Sequence, residues 1–428
     1  MADRKAVSRR EWRLHWPLLL AATIGISFGS IPTMTLGLFM EPLQNEFGWN
    51  RTTISLGMTV FAMLTAPLTP FAGALVDRYG ARTIAIPGLF LSGLCFAAFG
   101  LMNGMVSVWI GIWVMYSLSS LLCRSVVWNP PVSASFVVNR GVAIAILLSG
   151  MSLASAASPL LTHTLIENLG WRGAYAGVGI GWAGFALLLV IPFFRIRTEP
   201  VAAAVPNSPP ARPIMPGGLS GKQALRNRPL LRIAAAGLLF STLSSAYGVH
   251  MIPIYTSLGL GRGEAAGLAL VVGIAGAASK LAAGAIADRV NSGFLPFAAL
   301  GLPSVGYALL LIGNGSVPLL LAGAIIIGLG AGAALHMIMY LTTQYGGLRN
   351  FGKIYGSISA LFGLSAGIGP VSAGAIFDLT GGYSLFLMIG IPMFLVAALL
   401  VFGLGPYPEF ETTGPEPENA GKASASAS

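Results

Sequence analysis

Two positively charged side chains interrupt long apolar stretches of the sequence, where a charge is costly. Arg124 follows VSVWIGIWVMYSLSSLLC, and Lys280 follows LALVVGIAGAAS. A cation in the middle of a hydrocarbon layer costs at least about 2.5 kcal/mol, so it faces a bundle interior or a water-filled cavity. No Asp or Glu lies near the middle of an apolar stretch. The two cations therefore predict an anion site in which the bound anion is their counter-ion.

Each cation also has a structural interpretation. The alkyl stem of Lys280 is long enough to carry its ammonium group toward the edge of the hydrocarbon layer. Arg124 could instead hold two helices together through a structural polar pair. The two residue types also differ chemically, because lysine offers a point charge whereas arginine offers a planar fork that fits a carboxylate.

Four other residues are candidates for the same site. His336 lies within an apolar stretch and is of the type that titrates near neutral pH, although a hydrogen-bonded core histidine explains it equally well. Tyr340 is four residues later, on the same face of a helix, and is a candidate hydrogen-bond donor. Trp128 and Asn129 precede Pro130-Pro131, which predict a broken helix, and irregular backbone at membrane depth is tolerated where it lines a cavity.

The composition tells what kind of scaffold must position these residues. Of 428 residues, 55% are hydrophobic and 9% are charged, and the mean hydropathy is +0.78. A soluble domain carries about a quarter charged residues. Lipid must therefore cover most of the surface, and we predict an all-α integral membrane protein of the cell inner membrane or plasma membrane.

Twelve apolar stretches are long enough to cross a bilayer as helices of about 20 residues. The first is too long for the core of a signal peptide. We predict a cytoplasmic segment at 1–15, a six-helix half at 16–194, a cytoplasmic linker at 195–229, a second six-helix half at 230–404 and a disordered cytoplasmic tail at 405–428. The predicted spans are 16–40, 52–76, 83–102, 106–135, 141–166, 173–194, 230–257, 265–287, 293–313, 317–341, 353–377 and 383–404.

The net charge of +10 follows the predicted topology. With both termini in the cytoplasm, 19 of the 24 Lys and Arg residues lie on the cytoplasmic side. Two lie within spans, and Arg51, Arg172 and Arg262 lie on the opposite side. This agrees with the positive-inside bias. The basic residues thus report orientation and contact with lipid headgroups, and a nucleic-acid partner is excluded.

The second half of the chain repeats the first at a constant offset of 211 residues. The offset relates GALVDR to GAIADR through Asp77 and Asp288. Without gaps it also relates Met40 to Met251, Pro42 to Pro253, Gly48 to Gly259, Arg51 to Arg262, Gly141 to Gly352, Pro159 to Pro370, Glu167 to Asp378 and Gly170 to Gly381. A parallel repeat of six-helix units is typical of one large class of transporters.

The segment GALVDRYGAR, residues 73–82, resembles the signature loop of the major facilitator superfamily, and GAIADRVN, residues 284–291, resembles a weaker second copy. The resemblance implies a latch at the cytoplasmic gate. Small residues would let helices approach, acids would lie at positive helix N-termini, and arginines would pair with acids or headgroups. The residues assigned to this gating motif are Gly73, Asp77, Arg78, Arg82, Gly284, Asp288 and Arg289.

A second resemblance covers most of the chain. The segments FGWNR, NRGVAIAILLSG, LIENLGWRGAY and FGKIYGSISALFGLSAGIGP are similar to the monocarboxylate-transporter and oxalate/formate-antiporter group. That resemblance implies small organic anions as substrates, moved with a proton or in exchange for another anion. It also implies that Lys280 stands where the group has a carboxylate-binding arginine. Gly276 stands where the animal members carry an acid.

The sequence thus predicts secondary transport of a small organic anion by alternating access of two halves, with Arg124 and Lys280 holding the anion. The main alternative is an exporter of drugs or other hydrophobic compounds on the same fold. A membrane sensor would need an added signalling domain, for which linker and tail are short. We find no cluster typical of an enzyme or a metal site and expect no cofactor.

Overall fold

The computed structural model describes residues 2–136, 138–195, 217–287, 293–313, 315–347, 349–408 and 410. The described chain is built of α-helices joined by short turns. The helices are α1 (Ala2–Ser27), α2 (Ile31–Phe47), α3 (Arg51–Tyr79), α4 (Ala81–Ala98), α5 (Val106–Ser120), α6 (Ser125–Ser135), α7 (Arg140–Phe193), α8 (Gly221–Ala224), α9 (Arg228–Ser257), α10 (Arg262–Ala287), α11 (Phe294–Ile312), α12 (Val317–Gly346), α13 (Phe351–Thr380) and α14 (Ser384–Val401).

Between ten and twelve of these segments are suited to cross a membrane. Among the described residues, ten helical stretches have the required length and hydropathy, and α1 and α2 together form one of them. The helix α7 is 54 residues long and breaks at Gly170, whose φ of 69° lies in the left-handed region. The 26-residue helix α10 is a further apolar element.

The hydrophobic core is divided between two bundles. One cluster of buried side chains runs from Leu18 to Phe194 and also includes Val249, and the other runs from Ala224 to Val401 and also includes Leu38. The sequence repeat is visible in the backbone of these bundles. Gly48 and Gly259 have φ angles of 68° and 95°, and Gly170 and Gly381 have angles of 69° and 72°. Glycine tolerates this region best, which explains why the repeat preserves it at these turns.

The fourth predicted span breaks at Arg124, and the prediction of a break at Pro130-Pro131 was wrong. A 3₁₀ turn ends at Cys123, Arg124 is extended (φ −72°, ψ 164°), and α6 then continues through both prolines. The backbone carbonyl of Cys123, at this break, accepts a hydrogen bond from the Trp128 indole N–H at 2.9 Å. Satisfied backbone groups make the break tolerable at membrane depth.

The two ends of the helix bundle are named here for two acids. The Asp77 end holds the start of α1, where Ser8 and Asn139 side chains are hydrogen-bonded. The Asp378 end holds the opposite turns, including Gly48 and Gly381. Of the predicted linker, the structure describes Arg195 and residues 217–229, and Leu219 accepts a hydrogen bond from Asn350 at 2.9 Å.

The predicted disordered tail begins with residues that pack. The Tyr345 hydroxyl donates to the Gly405 carbonyl at 2.6 Å, and the Tyr345 and Tyr407 rings lie 5.3 Å apart. The prediction was therefore wrong for residues 405–408 and 410, because aromatic side chains cover the Asp77 end of α12. Residues 409 and 411–428 lie outside the described part of the chain.

The helices α10 and α12 touch through glycines. A Cβ atom built on Gly332 would collide with the Gly276 carbonyl oxygen and lie 2.8 Å from the Gly276 Cα atom. Backbone contact of this kind is a common way for membrane helices to gain packing energy.

We expect Gly332→Ala to lower stability by about 1–3 kcal/mol, because backbone cannot yield as a flexible side chain does. The melting temperature in detergent measures the change. The matched control is Gly267→Ala in α10, where no atom lies within 4 Å of the added Cβ. Equal melting temperatures for the two variants would contradict the close contact.

Candidate functional site

Arg124 lies at the break between α5 and α6 and points into the first bundle. Its Nη2 atom donates to Thr65 Oγ1 at 2.5 Å, and its guanidinium carbon lies 5.5 Å from the centre of the Phe61 ring. The side chain lines a cavity of about 120 Å³ together with Tyr116 and Met151. The break itself places the guanidinium there, since residue 124 belongs to neither helix.

Lys280 lies on α10 and reaches across to the other bundle. Its Nζ atom donates to Ser152 Oγ on α7 at 3.3 Å. Ser152 follows Met151, which lines the cavity of Arg124. The cavity of Arg124 and the hydroxyl partner of Lys280 thus involve consecutive residues of α7, and the two predicted cations belong to opposite bundles.

Neither cation forms an ion pair with an acid among the residues that the structure describes. Arg124 and Lys280 hydrogen-bond to hydroxyl groups. Two salt bridges, Arg172–Glu46 and Arg262–Glu41, lie at the Asp378 end. An arrangement of two cations with neutral partners favours an anionic ligand, because a desolvated charge is costly unless it is paired.

His336 lies close to Lys280 through the glycine contact of their helices. Lys280 is four residues after Gly276, and His336 is four residues after Gly332, so both lie one turn beyond the contact. The histidine is half-buried, and its Nδ1 atom is buried without a hydrogen-bond partner in the described structure. A ligand atom that forms a hydrogen bond with this nitrogen would satisfy it.

Trp128 does not line a cavity, contrary to the prediction from its position before the prolines. Its side chain is fully buried, packs against Phe194 at 4.9 Å and covers Gly25 of α1. Its indole N–H is already used by the Cys123 carbonyl. Asn129 is half-buried, and its Oδ1 atom is buried with no partner in the described residues.

Tyr340 packs against another aromatic residue. Its ring faces Tyr407 at 6.5 Å, within the aromatic group at the Asp77 end. Tyr407 belongs to the segment after α14, and the role of Tyr340 beside His336 stays a prediction. Four-residue spacing placed the two side chains on one face of α12 but did not show what covers that face.

The structure describes the first copy of the predicted gating motif and part of the second. A Cβ atom built on Gly73 would lie 3.3 Å from Val126 Cγ2 of the same bundle, and Asp77 is exposed and makes no hydrogen bond within the described residues. Arg82 donates to the Ile191 carbonyl at 2.6 Å, and Arg78 is exposed. Of the second copy, Gly284 lies within α10, and Asp288 and Arg289 lie outside the described residues.

The opposite end of the bundle is closed by an acid. Asp378, near the end of α13, accepts the backbone N–H groups of Arg51 and Thr52 at 3.0 and 2.8 Å and the Thr52 hydroxyl at 2.5 Å. These donors form the N-terminus of α3, where a carboxylate is stabilised by the helix dipole. The bond joins the two bundles, since α3 and α13 belong to different ones.

A second set of contacts supports the same closure. Arg51 donates to the Tyr383 hydroxyl at 2.6 Å, and its guanidinium carbon lies 3.5 Å from the centre of the Phe377 ring. His250 is fully buried, within hydrogen-bonding distance of Tyr383 Oη at 2.7 Å and Ser55 Oγ at 3.1 Å. The Asp378 end is therefore sealed by polar contacts between bundles.

Comparison with known proteins decides the family. The family model of the Major Facilitator Superfamily matches residues 18–316 and 304–427. The chain belongs to the major facilitator superfamily. Its fold agrees with a solved bacterial homolog of the human lysosomal transporter Spinster, described as inward-facing and unoccupied. The TM-score is 0.70 at 15% identity, covering 92% of this chain and 98% of the other.

Curated relatives place this major facilitator transporter with the monocarboxylate-transporter group. Human monocarboxylate transporter 11 is 24% identical over 410 residues, which are 91% of this chain and 83% of the relative. Human monocarboxylate transporter 6 is 26% identical over 433 residues, covering 93% and 81%. The resemblance predicted from the sequence is thereby confirmed, as is the integral membrane location of a major facilitator chain.

Sequence reasoning missed the contacts that close the Asp378 end of this major facilitator transporter. One signal was present. Asp77 and Asp378 each stand three residues before a glycine that ends its helix, as DRYG in α3 and DLTG in α13. The offset of 211 residues pairs Asp378 with Glu167 and not with Asp77. The similar positions of the two aspartates relative to their glycines were therefore overlooked.

Proposed function

We propose that the chain performs secondary active transport of a small organic anion, such as a monocarboxylate, by alternating access. The observation that carries the proposal is that Arg124 shares a cavity with Met151 while Lys280 donates to the adjacent Ser152, and that neither cation has an acidic partner in the described residues. A carboxylate between them would complete two charge-assisted hydrogen bonds. The monocarboxylate-transporter relatives support the same class of substrate.

The proposed architecture has twelve spans in two halves, 16–194 and 230–404, with the Asp77 end and both termini in the cytoplasm. The basic residues at that end support this orientation. In the present conformation the Asp378 end is sealed, and Asp77 is exposed. We assign the gating motif, including Asp288 and Arg289, to closing the cytoplasmic end when the carrier turns outward.

Coupling takes the form of proton symport or anion exchange. Binding a monocarboxylate offsets one of the two positive charges at the site, and binding a dicarboxylate such as oxalate offsets both, which lowers the cost of carrying them through a closed intermediate. The empty carrier keeps both positive charges at the site, so it converts less readily between its inward-facing and outward-facing conformations. His336, beside Lys280 with an unsatisfied Nδ1 atom, is the group assigned to carry a proton in the symport case.

Uptake of labelled lactate and oxalate into proteoliposomes tests the proposal. We expect uptake that requires an inward proton gradient or an exchangeable anion inside the vesicle. A proton gradient that accelerates uptake of lactate supports symport, and dependence on an internal anion supports exchange. Transport of hydrophobic or cationic compounds with no carboxylate uptake would contradict the anion assignment and favour the exporter alternative.

A further inference from the structure

An apolar cavity lies between the bundles on the Asp378 side of Lys280. Its volume is about 130 Å³, and it is lined by residues of both halves, among them Met34, Met251, Ala269, Tyr307 and Phe394. None of the lining side chains is charged. A cavity with this lining excludes the charged part of a ligand and accepts an apolar part.

The polar atoms at the cavity wall are largely satisfied by the protein. The Tyr247 hydroxyl bonds the Tyr255 hydroxyl at 2.7 Å, and the Ser155 hydroxyl donates to the Met151 carbonyl at 2.8 Å. A ligand there has little to gain from hydrogen bonds and much from removing apolar surface from water. A buried apolar cavity of about 150 Å³ in another protein stays dry and binds benzene, which sets the size of group that fits here.

The cavity is aligned with Lys280. Gly273 lines the cavity, and Lys280 is seven residues later on α10, which is two turns along the same face and about 10 Å away. The lysine side chain leans toward the helix N-terminus, and thus toward the cavity. On α7, Ser155 lines the cavity and Ser152, the partner of Lys280, lies three residues before it on the same side. A short alkyl chain spans the remaining distance.

We propose that the transported anion is a carboxylate with a ring-sized apolar group, such as an arylalkanoate, whose ring occupies this cavity while its carboxylate binds Lys280. The inference rests on the proposed transport of an organic anion and narrows it to a class of substrate. A two-carbon or three-carbon acid would leave the cavity empty and forgo the binding energy of its walls.

The first test compares 3-phenylpropionate with lactate in proteoliposomes. We expect the wild type to prefer 3-phenylpropionate, and Ala269→Leu, which fills the cavity, to lower the uptake ratio of 3-phenylpropionate to lactate at least about tenfold. Ala269 is buried, whereas Ala278 on the same helix is exposed, so Ala278→Leu is the matched control and should leave the ratio unchanged.

A second variant enlarges the cavity in case the first one folds poorly. Met34→Ala removes a half-buried side chain from the wall and should raise uptake of 3-(2-naphthyl)propionate relative to 3-phenylpropionate. Lactate uptake that depends on Lys280, with no 3-phenylpropionate uptake or with ratios indifferent to both cavity variants, overturns this inference and leaves the proposed function standing. Failure to move any carboxylate overturns both.

Discussion

Replacing Lys280 with glutamine should lower carboxylate uptake by about a hundredfold, because removal of one partner of a buried charge pair costs at least about 2–3 kcal/mol. The ammonium group is half-buried and hydrogen-bonds only to Ser152 among the described residues. Glutamine retains a donor for that hydroxyl but no charge for an anion. The expected loss therefore concerns binding of substrate and not the folding of α10.

Initial rates of uptake over a range of substrate concentrations measure this effect. Lys280→Arg keeps the charge and should retain most of the activity, and Ser152→Ala removes only the neutral partner and should cost little. Arg124→Gln should also impair uptake, since the guanidinium is the second cation of the site. Unchanged uptake by Lys280→Gln, with normal protein levels, would remove Lys280 from the binding site.

Replacing Asp378 with asparagine should open the sealed end of the molecule. The carboxylate accepts three hydrogen bonds from Arg51 and Thr52 at the N-terminus of α3. Asparagine lacks the charge that the helix dipole stabilises, and its amide nitrogen cannot accept a backbone N–H group. We expect the closed conformation to lose about 1.5 kcal/mol of stability relative to the open one, which corresponds to about a tenfold increase in the open population.

Labelling of an engineered cysteine by a membrane-impermeant maleimide measures this opening. Thr59→Cys, on α3 beside Gly367 of α13, reports access to the interface in a background without Cys95 and Cys123. Glu167, the repeat counterpart of Asp378, is exposed, and Glu167→Gln is the matched control. Equal labelling rates in Asp378→Asn and Glu167→Gln would show that Asp378 does not hold the end closed.

Much of this architecture was predictable because hydropathy and periodicity are local properties. Apolar stretches marked the helices, and the offset of 211 residues marked the two bundles and their glycine turns. The cost of a charge in lipid singled out Arg124 and Lys280 without any structure. That Lys280 donates to Ser152, next to the Met151 of the Arg124 cavity, could not be predicted, since it depends on how the bundles face each other.

The errors share a physical cause, which is a neighbour distant in sequence. Trp128 is buried because Gly25 of α1 leaves room for its ring, and the break moved to Arg124 because the Trp128 N–H satisfies the Cys123 carbonyl there. The ring of Tyr340 packs against Tyr407, which follows α14 in the chain. Helical spacing assigns a side chain to a face and carries no information about what packs on it.

The contact of Gly276 with Gly332 holds the backbones of α10 and α12 directly against each other. Helices in backbone contact cannot slide without collision, so in the proposed transport cycle we expect Lys280 and His336 to keep their relative positions. The bond from Lys280 to Ser152 instead crosses the moving boundary between bundles. In the proposed alternating access, the distance from Lys280 to Ser152 should change and the distance from Lys280 to His336 should not. A pair of probes on α10 and α7 would therefore report the movement of the bundles, and a pair on α10 and α12 would give a constant reference distance.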